Sequence, residues 1–489
     1  MFFLILILGF FLRAQEALSG NFLFLVDQGR DMMAVKSIIY DHHLTLIGPY
    51  TSLQGIFQGP LWYYLLSIPT LLFGGDPHGS VILMLVISIT VIVVTFLVMR
   101  RLFGNTCALI SAFLVATAPE AVAAATYSWN PHPMWLLLTI FFFLLYQVCQ
   151  KRKKYHLFLW PVIALMFHFE IALAIFILAG TFIYLLVWHM KLFLNRYFIV
   201  GILLAGLFFL PLFVFDVRHN FLMSKSFVQL FQNKDQGLFT KGEHLPYINQ
   251  MDAHLSSLYL NYRYIFQIND LMPKISIVVA IGFLISLFIK RGKFYTKKER
   301  DFLLLFVKFF LIFLALTFLY PFPLRYWFLT GFQMIYILPF SLFFRKLLTT
   351  RIGLIFVAAF SIITLIVIAP KLYKLYRYPD YGGIAKIRGK TDALDFIYQD
   401  VKVKPFGLLI FNPPVYTDSY DYLAYFLSKR TYHYLPHQEK KGTFYLLIEP
   451  DYNKPWSYKG WMETVVKTGS ILKTWELPSG LIVQKRQSP

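Results

Sequence analysis

Two ionisable residues near the start of the chain have types and a spacing suited to catalysis. Asp27 and Arg30 lie three positions apart in the run from Asp27 to Asp31, so on a helix they share one face. A carboxylate can accept the proton of an attacking hydroxyl, and a guanidinium can bind a phosphate through two parallel hydrogen bonds. The alternative is a local salt bridge at the start of an outer helix, with Asp31 as an additional solvated charge. The spacing alone leaves both interpretations open.

A loop rich in Gly and Pro follows this run. It reads IGPYTSLQGIFQGPLWYY from Ile47 to Tyr64. Gly and Pro form tight turns and let a backbone approach a ligand closely. Such residues are also ordinary in loops. The position between an acidic run and an aromatic segment that contains Trp62 and Tyr63 favours a functional interpretation.

Further candidate residues lie where predicted membrane spans end on the same side as Asp27. Polar groups at membrane depth are costly, so those at the ends of spans are candidates for function. With their aromatic neighbours they are Trp129, Asn130, His168, Glu170, Arg218, His219, Arg325 and Tyr326.

Each of these candidates also has a structural interpretation. Trp129 can anchor the chain at the membrane interface, and Asn130 can start a helix or instead orient an acceptor hydroxyl. His168 and Glu170 lie at a predicted hairpin tip, where solvated polar residues are common. The arginines can extend to lipid head groups or bind the phosphate of a lipid carrier. Their predicted position on the side of Asp27 favours phosphate binding.

The elements that must position these residues are membrane spans. The chain has 489 residues, of which 58% are hydrophobic and only 15% are charged. Its apolar runs of roughly 18–20 residues are long enough to cross ~30 Å of hydrocarbon. The formal net charge is +21, but Lys and Arg cluster in short loops between apolar runs, as expected of cytoplasmic loops. This distribution argues against a nucleic-acid partner.

Assigning the basic loops to the cytoplasm predicts about eleven spans. They are 1–13, 80–99, 104–119, 134–149, 157–169, 171–188, 197–214, 273–289, 302–320, 328–344 and 353–369. Residues 14–79 then form a long outer loop. Within it, Leu61–Phe73 contains Pro69 and is too short to cross, so it is predicted to be a juxtamembrane or re-entrant segment.

The last part of the chain has the pattern of a small α/β domain. Helix-like windows at 383–400, 420–429 and 461–467 alternate with strand-like runs at 407–411, 444–448, 471–476 and 481–484. This alternation predicts a domain with a core of its own. We therefore expect a membrane domain of residues 1–370 and an extracytoplasmic domain of residues 371–489.

The order of these features resembles the GT-C glycosyltransferases, specifically the family 39-like group. That group includes protein O-mannosyltransferases and the aminoarabinose transferase of lipid A. The resemblance extends over residues 1–370 and is carried by the runs DQGRD, IGPYTSLQGIFQGPLWYY, WNP and FDVRHNF. It implies a polytopic α-helical membrane protein of GT-C type, with juxtamembrane helices in the first outer loop and a small C-terminal α/β domain.

The resemblance also implies a function. It is the inverting transfer of a sugar from a polyprenyl-phosphate donor to an acceptor, on the extracytoplasmic face of the cytoplasmic membrane. Asp27 matches the general base, and Arg30 matches a residue near the donor phosphate, with Arg218 and Arg325 as further phosphate ligands. Candidate contacts to the acceptor, sugar or prenyl chain are Asp31, Trp62, Tyr63, Trp129, Asn130, His168, Glu170, His219 and Tyr326. The acceptor, whether protein, lipid or glycan, is left open.

Three positions depart from the pattern of this group. Gln28 stands where many relatives have an acidic residue, Gly59 where some have Lys or His, and Asn130 where several have a carboxylate. A divalent metal is therefore doubtful, since a hard cation prefers several carboxylate oxygens, and no other cofactor is predicted.

Two other classes of function are alternatives for a polytopic membrane protein. A transporter or flippase of a lipid-linked sugar would need polar residues at mid-span, and ideally inverted repeats. The predicted spans are nearly free of such residues, and no repeat is visible. A non-catalytic scaffold whose outer domain binds a partner is the other alternative.

Overall fold

The computed structural model describes residues 1–193, 195–231, 247–267, 271–288, 294–320, 322–402, 404–413, 416–451 and 453–488. The helices up to the C-terminal domain are α1 (Phe2–Phe11), α2 (Gln15–Ser19), α3 (Val26–Ile39), α4 (Leu61–Leu72), α5 (His78–Phe103), α6 (Asn105–Thr117), α7 (Pro119–Ala123), α8 (Met134–Cys149), α9 (His156–Met166), α10 (Ile171–His189), α11 (Arg196–Arg218), α12 (Leu222–Phe231), α13 (Tyr247–Arg263), α14 (Met272–Phe288), α15 (Lys297–Phe318), α16 (Met334–Leu347) and α17 (Arg351–Arg377). The C-terminal domain contains α18 (Ile387–Asp400), β1 (Gly407–Phe411), α19 (Asp418–Leu427), β2 (Thr443–Ile448), α20 (Ser457–Trp461), β3 (Ser470–Glu476) and β4 (Ile482–Gln487).

The membrane part is a bundle of apolar helices. Within the described residues, five helical segments are long and apolar enough to cross a membrane: α5, α10 with its extension to Leu192, α11, α15 and α17. Helices α1, α4, α6, α8 and α14 are apolar but shorter. Helix α8 coincides with the predicted span 134–149, whereas residue 289 of the predicted span 273–289 lies outside the described residues. The count of eleven spans stays a prediction.

Helix α4 has both ends on the side of the C-terminal domain. Near its start, Trp62 Nε1 donates to Asp31 Oδ2 in α3 at 2.7 Å. Just beyond its end, Tyr422 Oη in α19 donates to the Gly75 carbonyl at 2.6 Å. Because α3 and α19 pack against each other, a helix that reaches both does not cross the membrane. Both ends of α4 thus lie on one side, as expected of the predicted juxtamembrane or re-entrant segment.

The C-terminal domain contains a four-stranded sheet in the order β1-β2-β4-β3. Strands β1 and β2 are parallel, while β4 runs antiparallel to both β2 and β3. Strand β1 has the bounds predicted from the sequence, and α18 and α19 lie within or close to predicted windows. Helix α17 continues through the predicted domain boundary at 370/371 to Arg377, and that boundary stays a prediction.

Loop 14–79 and the C-terminal domain share one hydrophobic core. Phe22, Phe24 and Met32 are buried together with residues of α18, α19 and the sheet. The backbones also pair, because Phe24 N donates to the Ala385 carbonyl at 3.0 Å and Ile387 N donates to the Phe22 carbonyl at 2.9 Å. Loop 14–79 is therefore held by the domain that lies more than 300 residues later in the chain.

Helices α3 and α19 approach each other very closely. A Cβ atom placed on Gly29 would lie 2.2 Å from the backbone nitrogen of Ser419. Only a residue without a side chain fits at this crossing. The contact fixes α3, which carries Asp27 and Arg30, against the C-terminal domain.

Candidate active site

A cavity of about 600 Å³ lies between the membrane helices and the C-terminal domain. Its walls include Asp27 and Arg30 of α3, residues 50–52 and 129–131, Glu170, residues 325–328, and Lys390, Asn412, Tyr416, Ser419 and Glu449 of the C-terminal domain. Segments that are far apart in the sequence thus converge on one cavity, which is called the polar cavity below because many of its lining side chains are charged or polar. The size is that of an ordinary small-molecule site.

Some of the predicted site residues line this cavity and others do not. Those that line it are Asp27, Arg30, Trp129, Asn130, Glu170, Arg325 and Tyr326. Asp31, Trp62, Tyr63 and His168 are buried and lie outside its described lining, while Arg218 and His219 are exposed at the end of α11, also outside that lining.

One guanidinium joins two carboxylates of α3. Arg30 Nη1 donates to Asp27 Oδ1 at 2.8 Å, and Arg30 Nε and Nη2 donate to Asp31 Oδ1 at 2.9 and 2.7 Å. The i,i+3 salt bridge between Asp27 and Arg30, one of the two interpretations that the spacing left open, is present. The side chain of Asp27 is 43% exposed, so this carboxylate remains accessible from the cavity.

Asp31 is buried, and its interpretation as a solvated charge is wrong. Its second oxygen accepts the hydrogen bond from Trp62, so the carboxylate is enclosed between α3 and α4. Burial raises the pKa of Asp31 to about 6, against the opposing effects of the Arg30 charge and the Trp62 hydrogen bond. Burial lowers the pKa of Arg30, but Asp31 and Asp27 outweigh this effect and the pKa is raised overall. Asp31 thus anchors the cation beside Asp27.

Gln28 positions the first turn of α3 and was not among the predicted site residues. Its Oε1 accepts from Leu25 N at 2.9 Å, and its Nε2 donates to the Ser128 carbonyl at 2.9 Å. The reach back to the N-cap backbone is the Gln half of a capping box, but the N-cap residue is Leu25 rather than Ser or Thr, so the sequence lacks the full signature of that motif. The side chain links α3 to the segment that carries Trp129 and Asn130.

The hairpin tip between α9 and α10 holds the Gly- and Pro-rich loop. Gly59 N donates to the Phe167 carbonyl at 3.0 Å, and Leu61 N donates to His168 Nδ1 at 3.3 Å. A Cβ on Gly59 would lie 2.1 Å from His168 Nδ1. The imidazole therefore occupies the space that a side chain at Gly59 would need. Asn130 Nδ2 also binds this tip, donating to the Phe169 carbonyl at 2.6 Å.

Glu170 stands between the polar cavity and an apolar one. The side chain is buried, and its Oε1 accepts from Ala172 N at 3.2 Å at the start of α10. Burial raises the pKa of Glu170 to about 8, so the carboxyl is mostly neutral at pH 7. Thr51, Ser52, Glu170 and Phe328 line both the polar cavity and an apolar cavity of about 230 Å³ between α10 and α15.

A second apolar groove adjoins the first. It has a volume of about 470 Å³ and lies between α10, α11 and α12. Ile56, Ile171, Ile175 and Phe227 line both apolar spaces. A continuous apolar surface thus leads from the membrane helices to the wall that contains Glu170.

The C-terminal domain contributes residues that the sequence interpretation missed. Lys390 lies on the buried face of α18 and yet reaches the cavity. A Lys at a core position of an amphipathic helix is the signal that could have identified it. For Asn412, Ser419 and Glu449, no feature of the neighbouring sequence indicates a position in the cavity wall. Among the described residues, no group of three His, Cys, Asp or Glu side chains is arranged to hold a metal ion.

Comparisons with known proteins bear on the fold. Residues 58–215 match the family model described as dolichyl-phosphate-mannose-protein mannosyltransferase. The structure of ArnT from Cupriavidus metallidurans bound to undecaprenyl phosphate matches with a TM-score of 0.58 and 12% identity, covering 99% of this chain and 97% of that chain. The chain has the GT-C fold.

A second GT-C structure agrees. The oligosaccharyltransferase of Archaeoglobus fulgidus in complex with Zn and sulfate matches with a TM-score of 0.54 and 14% identity, covering 99% of this chain and 72% of that chain. No curated protein sequence matches this chain. The predicted fold class, a polytopic helical GT-C protein with a small C-terminal α/β domain, is confirmed.

Proposed function

We propose that this GT-C protein is an inverting glycosyltransferase, which moves a sugar from a polyprenyl-phosphate donor to an acceptor on the outer face of the cytoplasmic membrane. The proposal rests on one observation: Asp27 lines a polar cavity that adjoins an apolar cavity. An accessible carboxylate lines a polar space, and that space shares a wall with an apolar one among the membrane helices.

The apolar spaces suit the prenyl chain of such a donor. Their lining is mostly aliphatic and aromatic, and burial of prenyl CH₂ groups there is favourable. The matched ArnT structure contains undecaprenyl phosphate, which supports a lipid of this class here. The sugar would then lie in the polar cavity and the phosphate at the wall that contains Thr51, Ser52 and Glu170.

Two arginines line the polar cavity and can stabilise the phosphate. Arg30 already donates to Asp27 and Asp31, so it contributes mainly through its charge. Arg325 lines the same cavity beside Trp327, 5.6 Å from the centre of the indole ring. Because Arg30 and Arg325 both line the cavity and the exposed Arg218 lies outside its described lining, we place these two arginines ahead of Arg218 as phosphate ligands.

The reaction follows from these positions. Asp27 accepts the proton of the acceptor hydroxyl, and the acceptor oxygen forms a bond to the anomeric carbon. The bond from this carbon to the phosphate oxygen breaks on the opposite face, and its electron pair remains on the departing polyprenyl phosphate. The configuration of the sugar is inverted, and the nearby cations stabilise the leaving group.

The test is Asp27→Asn in a reconstituted transfer assay with polyprenyl-phosphate sugars. Asn keeps the shape and can still accept from Arg30, but it cannot take a proton. We expect turnover to fall by ~10²–10⁴-fold, the usual effect of a general base. Asp41→Asn is the control, since Asp41 forms an exposed salt bridge with Lys36. Wild-type turnover in Asp27→Asn would refute the assignment.

The same assay separates transfer from transport. Detergent solution has no two compartments, so product formed there requires a glycosyltransferase rather than a flippase. Failure of every polyprenyl-phosphate sugar to react with the wild-type protein would contradict the proposed donor class.

A further inference from the structure

The cavity wall formed by the C-terminal domain carries a buried ion pair. Lys390 is 1% exposed, and its Nζ lies 2.9 Å from Glu449 Oε2 and 4.2 Å from the centre of the Tyr420 ring. Tyr420 Oη donates to the same carboxylate oxygen at 2.7 Å. Charges are rarely buried unless they are paired or used. Here Lys390 and Glu449 both line the polar cavity.

Two polar atoms beside this pair have no hydrogen-bond partner in the described part of the protein. They are Asn412 Oδ1 and Ser419 Oγ, and both residues are at most 2% exposed. The amide nitrogen of Asn412 is occupied, because it donates to the Tyr416 carbonyl at 2.6 Å. Buried polar groups are nearly always hydrogen-bonded in folded proteins. Both residues line the cavity, so a bound ligand can supply the missing partners.

This wall is fixed relative to Asp27. Ser419 is the residue whose backbone meets Gly29, two positions after Asp27. A ligand group next to Asp27 therefore faces a rigid surface of the C-terminal domain.

The chemistry of the wall favours sugar hydroxyls over phosphate. The Lys390–Glu449 pair is neutral overall, and the unpaired Asn412 oxygen can only accept a hydrogen bond. A phosphate brings acceptors and negative charge, which such a wall does not attract. Neighbouring sugar hydroxyls bring both donors and acceptors, which match the Asn412 amide oxygen, the Ser419 hydroxyl and the ion pair.

We propose that Lys390, Asn412, Ser419 and Glu449 form a glycosyl subsite that binds the hydroxyl groups of a sugar unit during transfer. The inference rests on the proposed function and deepens it. The bound unit is the sugar carried by the polyprenyl phosphate or a sugar on the acceptor, and both present the same hydroxyl chemistry.

Binding to the full-length protein in nanodiscs tests the subsite directly. The probes are methyl glycosides of common hexoses and pentoses, measured by saturation-transfer difference NMR. We expect at least one glycoside to bind the wild type, and Asn412→Ala and Ser419→Ala each to weaken its binding by about fivefold, the effect of one hydrogen bond. Unchanged binding in both variants, or no binding by the wild type, would overturn the proposal.

A matched control exists on another part of the same domain. Asp400 accepts from Lys485 Nζ and from Tyr445 Oη, each at 2.7 Å, which reproduces the chemistry of Glu449 away from the cavity. Glu449→Gln should weaken glycoside binding, and Asp400→Asn should not. Equal losses in the two variants would point to domain stability instead and contradict the subsite.

Steady-state kinetics identify the source of the sugar. A raised KM for the donor in Asn412→Ala assigns the subsite to the lipid-linked sugar, whereas a raised KM for the acceptor assigns it to the acceptor. The Asp27→Asn variant should keep glycoside binding while losing turnover. The subsite fails if transfer proceeds with wild-type KM values in both alanine variants, and the proposed function fails separately if glycosides bind and no transfer occurs.

Discussion

At the residue scale, the two acidic residues of α3 have different surroundings. Asp27 remains accessible, while Asp31 is enclosed by Arg30 and Trp62. Arg30 donates hydrogen bonds to both carboxylates. The buried Asp31 therefore holds the guanidinium beside the accessible Asp27. This arrangement keeps an accessible carboxylate and a positive charge together.

Glu170 leads to a prediction about pH. With its pKa raised to about 8 by burial, the neutral carboxyl can donate a hydrogen bond to a phosphate oxygen below that pH. Above it, the ionised carboxylate repels the phosphate. We expect the KM for the donor to rise as the pH increases through about 8, and Glu170→Gln to abolish this rise.

Measurement of the donor KM from pH 6.5 to 9.5 checks this prediction. Asp31, with its pKa of about 6, titrates below most of that range. The exposed Glu439 offers a control, because Glu439→Gln should retain the wild-type profile. A rise of the same size in Glu170→Gln would show that another group is responsible.

At the element scale, the crossing of α3 and α19 is the critical contact. In Gly29→Ala, the new Cβ would meet the Ser419 backbone at 2.2 Å, so the two helices must separate. Overpacking of this kind typically costs about 1–3 kcal/mol. We expect a lower Tm and reduced turnover, because the cavity wall moves with α19.

Thermal unfolding in detergent measures this effect. Gly460→Ala is a suitable control, since a Cβ there meets nothing within 4 Å and Gly460 lies inside α20. Similar Tm values for Gly29→Ala and the wild type would show that α3 and α19 can separate without a loss of stability.

Arg13 joins three membrane helices. It is fully buried, and its guanidinium donates to Ser88 Oγ at 2.8 Å and to the Val115 and Ala116 carbonyls at 2.9 and 2.7 Å. These carbonyls lie near the C-terminal end of α6, where the helix dipole is negative. Within the described part of the chain, the guanidinium of Arg13 donates to a hydroxyl and to backbone carbonyls, so the negative end of the helix dipole compensates the cation.

Arg13→Met should destabilise the protein, because each buried acceptor left without a donor costs about 1–3 kcal/mol. The measurement is the Tm of the purified protein. Arg100→Met at the exposed end of α5 is the control. An unchanged Tm in Arg13→Met would mean that water or a neighbouring donor replaces the guanidinium.

At the scale of the whole molecule, the C-terminal domain is attached by its covalent connection and also by packing against residues near the start of the chain. Phe22, Phe24 and Met32 belong to the core of that domain, while the connection after α17 is exposed around Tyr378 and Asp380. Cleavage at an inserted protease site in this connection should leave the domain bound and turnover near wild type. Deletion of residues 378–489 should abolish turnover.

Co-purification of the cleaved domain with the membrane part checks this prediction. Uncleaved protein with the same insertion is the control for the insertion itself. Dissociation of the domain after cleavage would show that the shared core is weaker than its burial indicates.

Much of this architecture is local in origin and was predictable. Hydrophobic length identified the helices, so α8 occupies the predicted residues 134–149. The i,i+3 spacing predicted the contact between Asp27 and Arg30. Strand β1 followed from a short apolar run with its predicted bounds. In each case neighbours in the sequence decide the geometry, through helical periodicity or β propensity.

Composition, charge distribution and spacing therefore determined the class of protein and the first residues of its proposed site. The tertiary structure alone decided which side chains share the cavity. Lys390, Asn412, Ser419 and Glu449 line the same cavity as Asp27 because residues 22–24 pair with residues 385–387 and α19 packs on Gly29. Such long-range packing depends on the shapes of whole surfaces, and no local pattern encodes it. The same packing buried Asp31 and left Arg218 outside the described lining of the cavity.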